Sequence, residues 1–166
     1  MVSIKPKWCK LIDSGKKTIE VRKTAPKEVP FKAYIYCTKS GGYILPYDDL
    51  SDFYNGKVIG EFICYRIDAI CPDVFVVRED AERALEGSCI SVNEFKKYMK
   101  CVPGTPLYVL KDAYAWHISD LVIYDKPKEL SEFHSGRSVY EIKAGKLSYT
   151  GIKRPPQSWM YVEVAE

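Results

Sequence analysis

The sequence has no CxxC pair, only two histidines and none of the common catalytic signatures, and each gap removes a class of function. Its six cysteines, Cys9, Cys37, Cys64, Cys71, Cys89 and Cys101, are never closer than seven positions. A disulfide framework is therefore not expected, nor is a zinc site, which would have to gather scattered thiols around His117 and His134. GxGxxG, the P-loop, HExxH and GxSxG are all absent, so the usual dinucleotide, phosphate-loop, metalloprotease and hydrolase chemistries have no support. No run approaches the roughly 18 uncharged apolar residues of a membrane helix. Lys5, Lys7 and Lys10 crowd the first ten positions, unlike a secretory signal. Free thiols without such a signal fit the reducing cytosol, where a buried cysteine acts as a small apolar side chain. The expectation is a cytoplasmic protein with no metal, no cofactor and no membrane partner.

What is present is enough for one core. With 166 residues, 46% of them apolar, the chain suits a single domain over residues 1–166. The formal charge of +3 is too small to name a partner. Its distribution says more, because residues 1–32 hold nine basic and three acidic groups, residues 126–154 seven and three, and residues 33–125 nine and fourteen. Were the basic ends to meet, as termini of compact domains often do, they would form one patch for a polyanion; the plain alternative is a solvated lysine-rich surface.

Pattern reading predicts an extended entry at Val2–Ile4, a helix from Pro6 to Ser14 stopped by Gly15, and a strand from Thr18 to Arg22 with Ile19 and Val21 on one face. Further strands are expected over Phe31–Thr38, over Lys57–Cys71 after an Asn55-Gly56 turn with a bulge or bend near Gly60, and over Leu107–Leu110, Ala113–Tyr124 and Trp159–Val164. Helices are expected over Arg78–Glu86, ended by Gly87, and over Ser91–Met99 behind a Ser91/Glu94 capping box, with a helical turn at Lys128–Phe133. Strands and helices do not alternate one for one, so a mixed, mostly antiparallel α+β barrel with short helices at its ends is favoured over a doubly wound sheet.

One polar constellation stands out: Gly15-Lys16-Lys17-Thr18-Ile19-Glu20-Val21-Arg22. Lysine at a helix end, then a carboxylate and a guanidinium two residues apart on one strand face, places three charges within reach of each other. Exposed pairs of this kind contribute only about 0–1 kcal/mol, so on the sequence alone the set is either surface pairing or a binding site.

Taken with Ile4-Lys5-Pro6-x-Trp8, Gly56-Lys57-Val58-Ile59-Gly60-Glu61-Phe62 and the tail Arg154-Pro155-Pro156-Gln157-Ser158-Trp159-x-Tyr161-Val162, the pattern resembles the ASCH domain family, named for homology to activating signal cointegrator, in its bacterial and phage form. The resemblance runs from about residue 2 to 164. It implies a PUA-like β-barrel and RNA or nucleotide binding in a basic cleft between the first helix and the barrel. By the same resemblance Lys17, Glu20 and Arg22 form the polar core, Lys5 and Trp8 border it, and the tail brings Arg154, Ser158 and Trp159 nearby. Such a set is chemically apt: cations meet phosphate, an aromatic plane stacks a base and a carboxylate accepts from an amine. Trp8, Trp116 and Trp159 could equally be core residues. His117 and His134 fit no motif and are read as structural or solvent-facing.

Part of the family hydrolyses acetylated cytidine with a nucleophilic threonine beside the lysine. This chain has Glu20 at that position and Thr18 at the family's other threonine, so the mechanism does not carry over intact. If the protein is an enzyme, a hydrolase of RNA or of a modified nucleoside, Lys17 and Glu20 are its acid–base pair; their mutual attraction holds both charged and opposes that role. The 13 tyrosines permit a third reading, a protein-interaction module.

Overall fold

The structure, a computed structural model, describes residues 1–39, 55–75, 78–101, 104, 106, 110–135, 141–143, 146–148 and 150–164. The Leu107–Leu110 strand expectation falls mainly outside these residues. The strands are β1 (Val2–Ile4), β2 (Ile19–Arg22), β3 (Phe31–Cys37), β4 (Val58–Ile70), β5 (Ala113–Lys128), β6 (Phe133–His134), β7 (Glu141–Lys143), β8 (Lys146–Ser148) and β9 (Glu163–Val164). The α-helices are α1 (Pro6–Asp13), α2 (Arg78–Ala84) and α3 (Val92–Met99), with 3-10 turns at Pro72–Phe75 and Leu130–Glu132. No helix among the described residues is long and apolar enough to cross a membrane.

Five strands form one sheet in the order β1-β3-β4-β5-β2, and β6 pairs with β9 and β7 with β8 in two small ribbons. The α+β class is as expected, but the sheet is not closed into a barrel: among the described residues its outer strands, β1 and β2, are not paired with each other. Both are short, three and four residues, which limits how much unpaired edge they expose. β1 runs parallel to β3, while β2 runs antiparallel to β5.

By backbone contacts the chain divides into two compact units. The first comprises Met1–Lys10, Ala33–Phe62 and Leu121–Glu166. Its core joins Met1, Tyr36, Val58 and Phe133 to the half-buried Tyr34, Tyr124, Met160 and Val164. The tail strand expected at Trp159–Val164 is regular only at Glu163–Val164; ahead of it, Trp159 makes a single bridge to Val2, and Ser3 N donates to Ser158 O at 2.9 Å. Near Gly60, where a bulge or bend is expected, the backbone of β5 comes close: a Cβ at Gly60 would stand 2.3 Å from the Val122 carbonyl oxygen.

The second unit comprises Leu11–Lys32 and Ile63–Asp120. Its core joins Val21, Ala113 and Ala115 of β2 and β5 to Ile70, Leu85 and Phe95. Burying side chains such as Phe95 contributes about 1.5–3 kcal/mol each. Helix α3 starts as the sequence predicts: Ser91 Oγ accepts the Glu94 amide at 3.2 Å, and Ser91 N donates back to Glu94 Oε2 at 3.2 Å.

Candidate nucleic-acid interface

The polar constellation is assembled by two loops of the second unit. Gly15 ends α1 at φ +70°, donating to Ile12 O, and Lys17 N donates to Leu11 O at 2.8 Å. Gly87, at φ +77°, then takes the next two amides, Thr18 N at 2.9 Å and Ile19 N at 3.1 Å, on its carbonyl. This sets the Lys17 side chain against the 87–88 turn. Its Nζ donates to Ile19 O at 2.7 Å and Ser88 O at 2.6 Å, and lies 3.3 Å from Glu20 Oε2. The other Glu20 oxygen, Oε1, meets Arg22 Nη2 at 3.0 Å.

The trio is therefore a continuous ion-pair chain with Glu20 at its centre, and it is buried: Lys17, Glu20 and Arg22 are 1%, 6% and 8% exposed. Solvated surface pairing does not describe it. Burial pushes the proton affinity of Lys17 down, and the Glu20 carboxylate pushes it partly back up. An ammonium has three N–H donors, and protein acceptors surround Nζ in all three roles. Lys17 thus holds Glu20 in place, and Glu20 holds Arg22.

Arg22 is the outermost member along β2. It pairs with Tyr114 across the sheet and precedes Lys23, and both of those neighbours line an open cavity of about 690 Å3 with Thr24, Ala25, Lys111 and Asp112. This volume falls in the range of roughly 300–1,000 Å3 usual for small-molecule sites. Lys23 and Lys111 are exposed, and Lys23 Nζ sits 4.7 Å above the Tyr98 ring. Charge-bearing groups at the cavity are thus two lysines and one aspartate, with Arg22 beside them.

The remaining expected site residues belong to the first unit. Lys5 and Arg154 are exposed, while Trp8, Ser158 and Trp159 are half-buried. Trp8 carries the Lys7 ammonium 4.0 Å over its ring, and Trp159 packs edge to face on Tyr161 at 5.4 Å, Tyr161 itself being 68% exposed. The tail and β1 lie side by side, since Ser3 Oγ donates to Pro156 O at 2.6 Å. Trp116, by contrast, is a core residue, 1% exposed and edge to face with Phe31.

Sequence reasoning missed two features. Lys23 and Lys111 lie 88 positions apart and only the fold makes them neighbours at one cavity. His117 has a partner after all: its Nε2 lies 2.7 Å from Asp68 Oδ2, and Arg66 grips the same carboxylate. The Arg66-x-Asp68 spacing, one face of a strand, was the available signal. His134 is buried, with Nδ1 3.8 Å from Glu163. Among the described residues, no group of His, Cys, Asp and Glu is arranged to hold a metal ion.

Comparison of the whole chain with solved structures supplies the fold's affiliation. The ASCH protein of Zymomonas mobilis superposes with a TM-score of 0.53 at 20% identity, over 99% of this chain and 85% of that one. Two single-substitution variants of it, one Tyr to Phe and one Ser to Ala, each superpose at 0.56 and 21% identity, over 99% of this chain and 88% and 86% of theirs. The fold is of the ASCH type. No family model matches the sequence, and no curated protein does. The ASCH-type likeness is thus one of fold, at 20–21% identity.

Proposed function

We propose that this ASCH-type protein binds RNA or a nucleotide, with Arg22, Lys23 and Lys111 facing phosphate and the sugar or base entering the cavity beside Tyr114. The observation that carries the reading is the placement of Arg22: a guanidinium anchored on Glu20 at 3.0 Å, next to a cavity with two exposed lysines. Holding the carboxylate between two cations keeps it from repelling an incoming anion, and a preset guanidinium loses little freedom on binding. Lys17 then positions Glu20 rather than touching ligand. Lys5, Trp8, Arg154, Ser158 and Trp159, all of the first unit, are proposed as nucleic-acid contacts of that unit, the exposed Lys5 and Arg154 through phosphate and Trp159 through stacking. A cytoplasmic setting is part of the proposal, since six cysteines scattered along the sequence suit a reducing compartment.

Hydrolysis of RNA or of an acylated nucleoside, with Lys17 and Glu20 reacting, has less support. Lys17 is 1% exposed and its donors are directed at three protein oxygens. A general acid or nucleophile must reach its substrate.

Exposed lysines give the safest test, because replacing them leaves the core intact. The paired change Lys23→Glu and Lys111→Glu is expected to weaken binding of a single-stranded oligoribonucleotide at least tenfold and to flatten the log Kd against log salt slope by about 1.4, the release of two counterions. Unchanged affinity and slope in a folded variant refute the assignment.

A further inference from the structure

Strand alternation separates the trio from a second polar cluster. Across β2 and β5, Glu20 faces Trp116 and Arg22 faces Tyr114, whereas His117 faces Ile19 and so lies on the other side of the sheet. There Asp68 of β4 gathers three donors: Arg66 Nε on Oδ1 at 2.8 Å, Arg66 Nη2 on Oδ2 at 2.6 Å, and His117 Nε2 on Oδ2 at 2.7 Å. A carboxylate only accepts, so Nε2 of His117 carries the proton. The Tyr65 ring stands 5.8 Å from the His117 ring with 59° between their planes.

Stability does not account for this arrangement. The Arg66 and Asp68 side chains are 61% and 41% exposed, and Tyr65 is 52% exposed. Exposed ion pairs contribute little to folding, and an aromatic ring half in water is better explained by what it can cover. What Asp68 does achieve is orientation, since a two-point grip fixes the plane of the guanidinium and a third bond fixes the imidazole.

We propose that Tyr65, Arg66 and His117 form a stacking site for one unpaired, amine-bearing nucleobase, with Asp68 as the group that reads the amine. Base stacking on Tyr65 needs no sequence-specific contact, and the planar guanidinium of Arg66 offers a second face or a phosphate contact. The Asp68 carboxylate provides about four acceptor positions, of which three are taken, so one is left for the exocyclic amine of cytosine, adenine or guanine. Uracil presents a carbonyl at the corresponding edge and is disfavoured. Arg66 cancels the charge of Asp68, so a neighbouring phosphate is not repelled. The site shares its ligand class with the function proposed above and none of its residues.

Only two histidines occur in the chain, so the ring signals of His117 can be followed by NMR beside those of His134 as an internal control. Titration with cytidine 5′-monophosphate is expected to move the His117 signals at a concentration at least threefold lower than uridine 5′-monophosphate requires, leaving His134 unmoved. Tyr65→Ala should raise the concentration needed by roughly fivefold or more, and Tyr65→Phe should restore it. Asp68→Asn should erase the preference for cytidine. The Lys23→Glu/Lys111→Glu variant should respond at His117 as the unaltered protein does, which separates this site from the cavity. Immobile His117 signals, or a full response in Tyr65→Ala, overturn the stacking site; equal response to the two nucleotides overturns the reading of the amine. Either result leaves the lysine-lined cavity untouched.

Discussion

Lys17 Nζ stands 3.3 Å from Glu20 Oε2, with the lysine side chain wholly buried and that of the glutamate 8% exposed. Two opposite charges removed from water at this separation recover their desolvation cost only when the remaining donors and acceptors are also met. Here Ile19 O and Ser88 O complete the ammonium, and Arg22 completes the carboxylate.

Removing one end of that chain should cost more than the pair itself contributes. Lys17→Met leaves the Ile19 and Ser88 carbonyls without their ammonium donor and takes away one of the two cations that hold the buried Glu20 carboxylate, and a loss of about 3–5 kcal/mol is expected in urea unfolding. Lys17→Met combined with Glu20→Gln should lose clearly less than the two single losses together, because the neutral amide no longer needs the cation. Strict additivity would show that the two side chains are not energetically coupled.

Glycine replacement distinguishes strain from crowding at the two turns that frame the trio. Gly15 and Gly87 share a left-handed backbone, but a Cβ at Gly15 meets nothing within 4 Å whereas one at Gly87 would lie 2.6 Å from Thr18 Oγ1. Gly15→Ala should cost about 1 kcal/mol, the backbone penalty alone. Gly87→Ala should cost more, and by displacing Thr18 it should also shift the Lys17 and Glu20 resonances. Equal losses in thermal unfolding would contradict the crowding at position 87.

Acid should reveal Asp68. The Arg66 hydrogen bonds, first, and the His117 contact hold its carboxyl below the usual carboxylate range. Its folded form therefore binds a proton less readily than its unfolded form. The stability it contributes, small for so exposed a pair, is present above the unfolded value of about 4 and is lost as pH falls through the lower folded value. Urea midpoints measured from pH 5 to pH 2 should fall less steeply for Asp68→Asn than for the unaltered protein. Parallel curves would mean that the carboxyl is not held down.

Local rules carried the helices well. Pro6, Gly15, Gly87 and the Ser91/Glu94 box mark boundaries that backbone chemistry alone enforces, and α1 and α3 begin and end within a residue or two of them. Lys17, Glu20 and Arg22 were legible as a set because period-2 alternation puts residues 20 and 22 on one face. Their burial was not legible: it comes from Gly87 and Ser88, about 70 positions away, whose carbonyls finish what the trio begins. The open sheet escaped for a similar reason, since closure depends on pairing between β1 and β2, and three- and four-residue strands carry no signal of their partners. Arg66-x-Asp68 was visible as a same-face pair, yet its third member, His117, lies on β5 and is brought in by strand pairing.

A methyl carbon on Gly60 would stand only 2.3 Å from the Val122 carbonyl oxygen, so the bare Cα there acts on β4 and β5 as a stop acts on a sliding bolt. A slip by one position would bring Ile59 or Glu61, each with a Cβ, to the place of Gly60 beside the Val122 carbonyl, so such misaligned pairings of the two strands meet a steric barrier. Alignment of the two longest strands among the described residues is thus secured by the smallest residue in either of them.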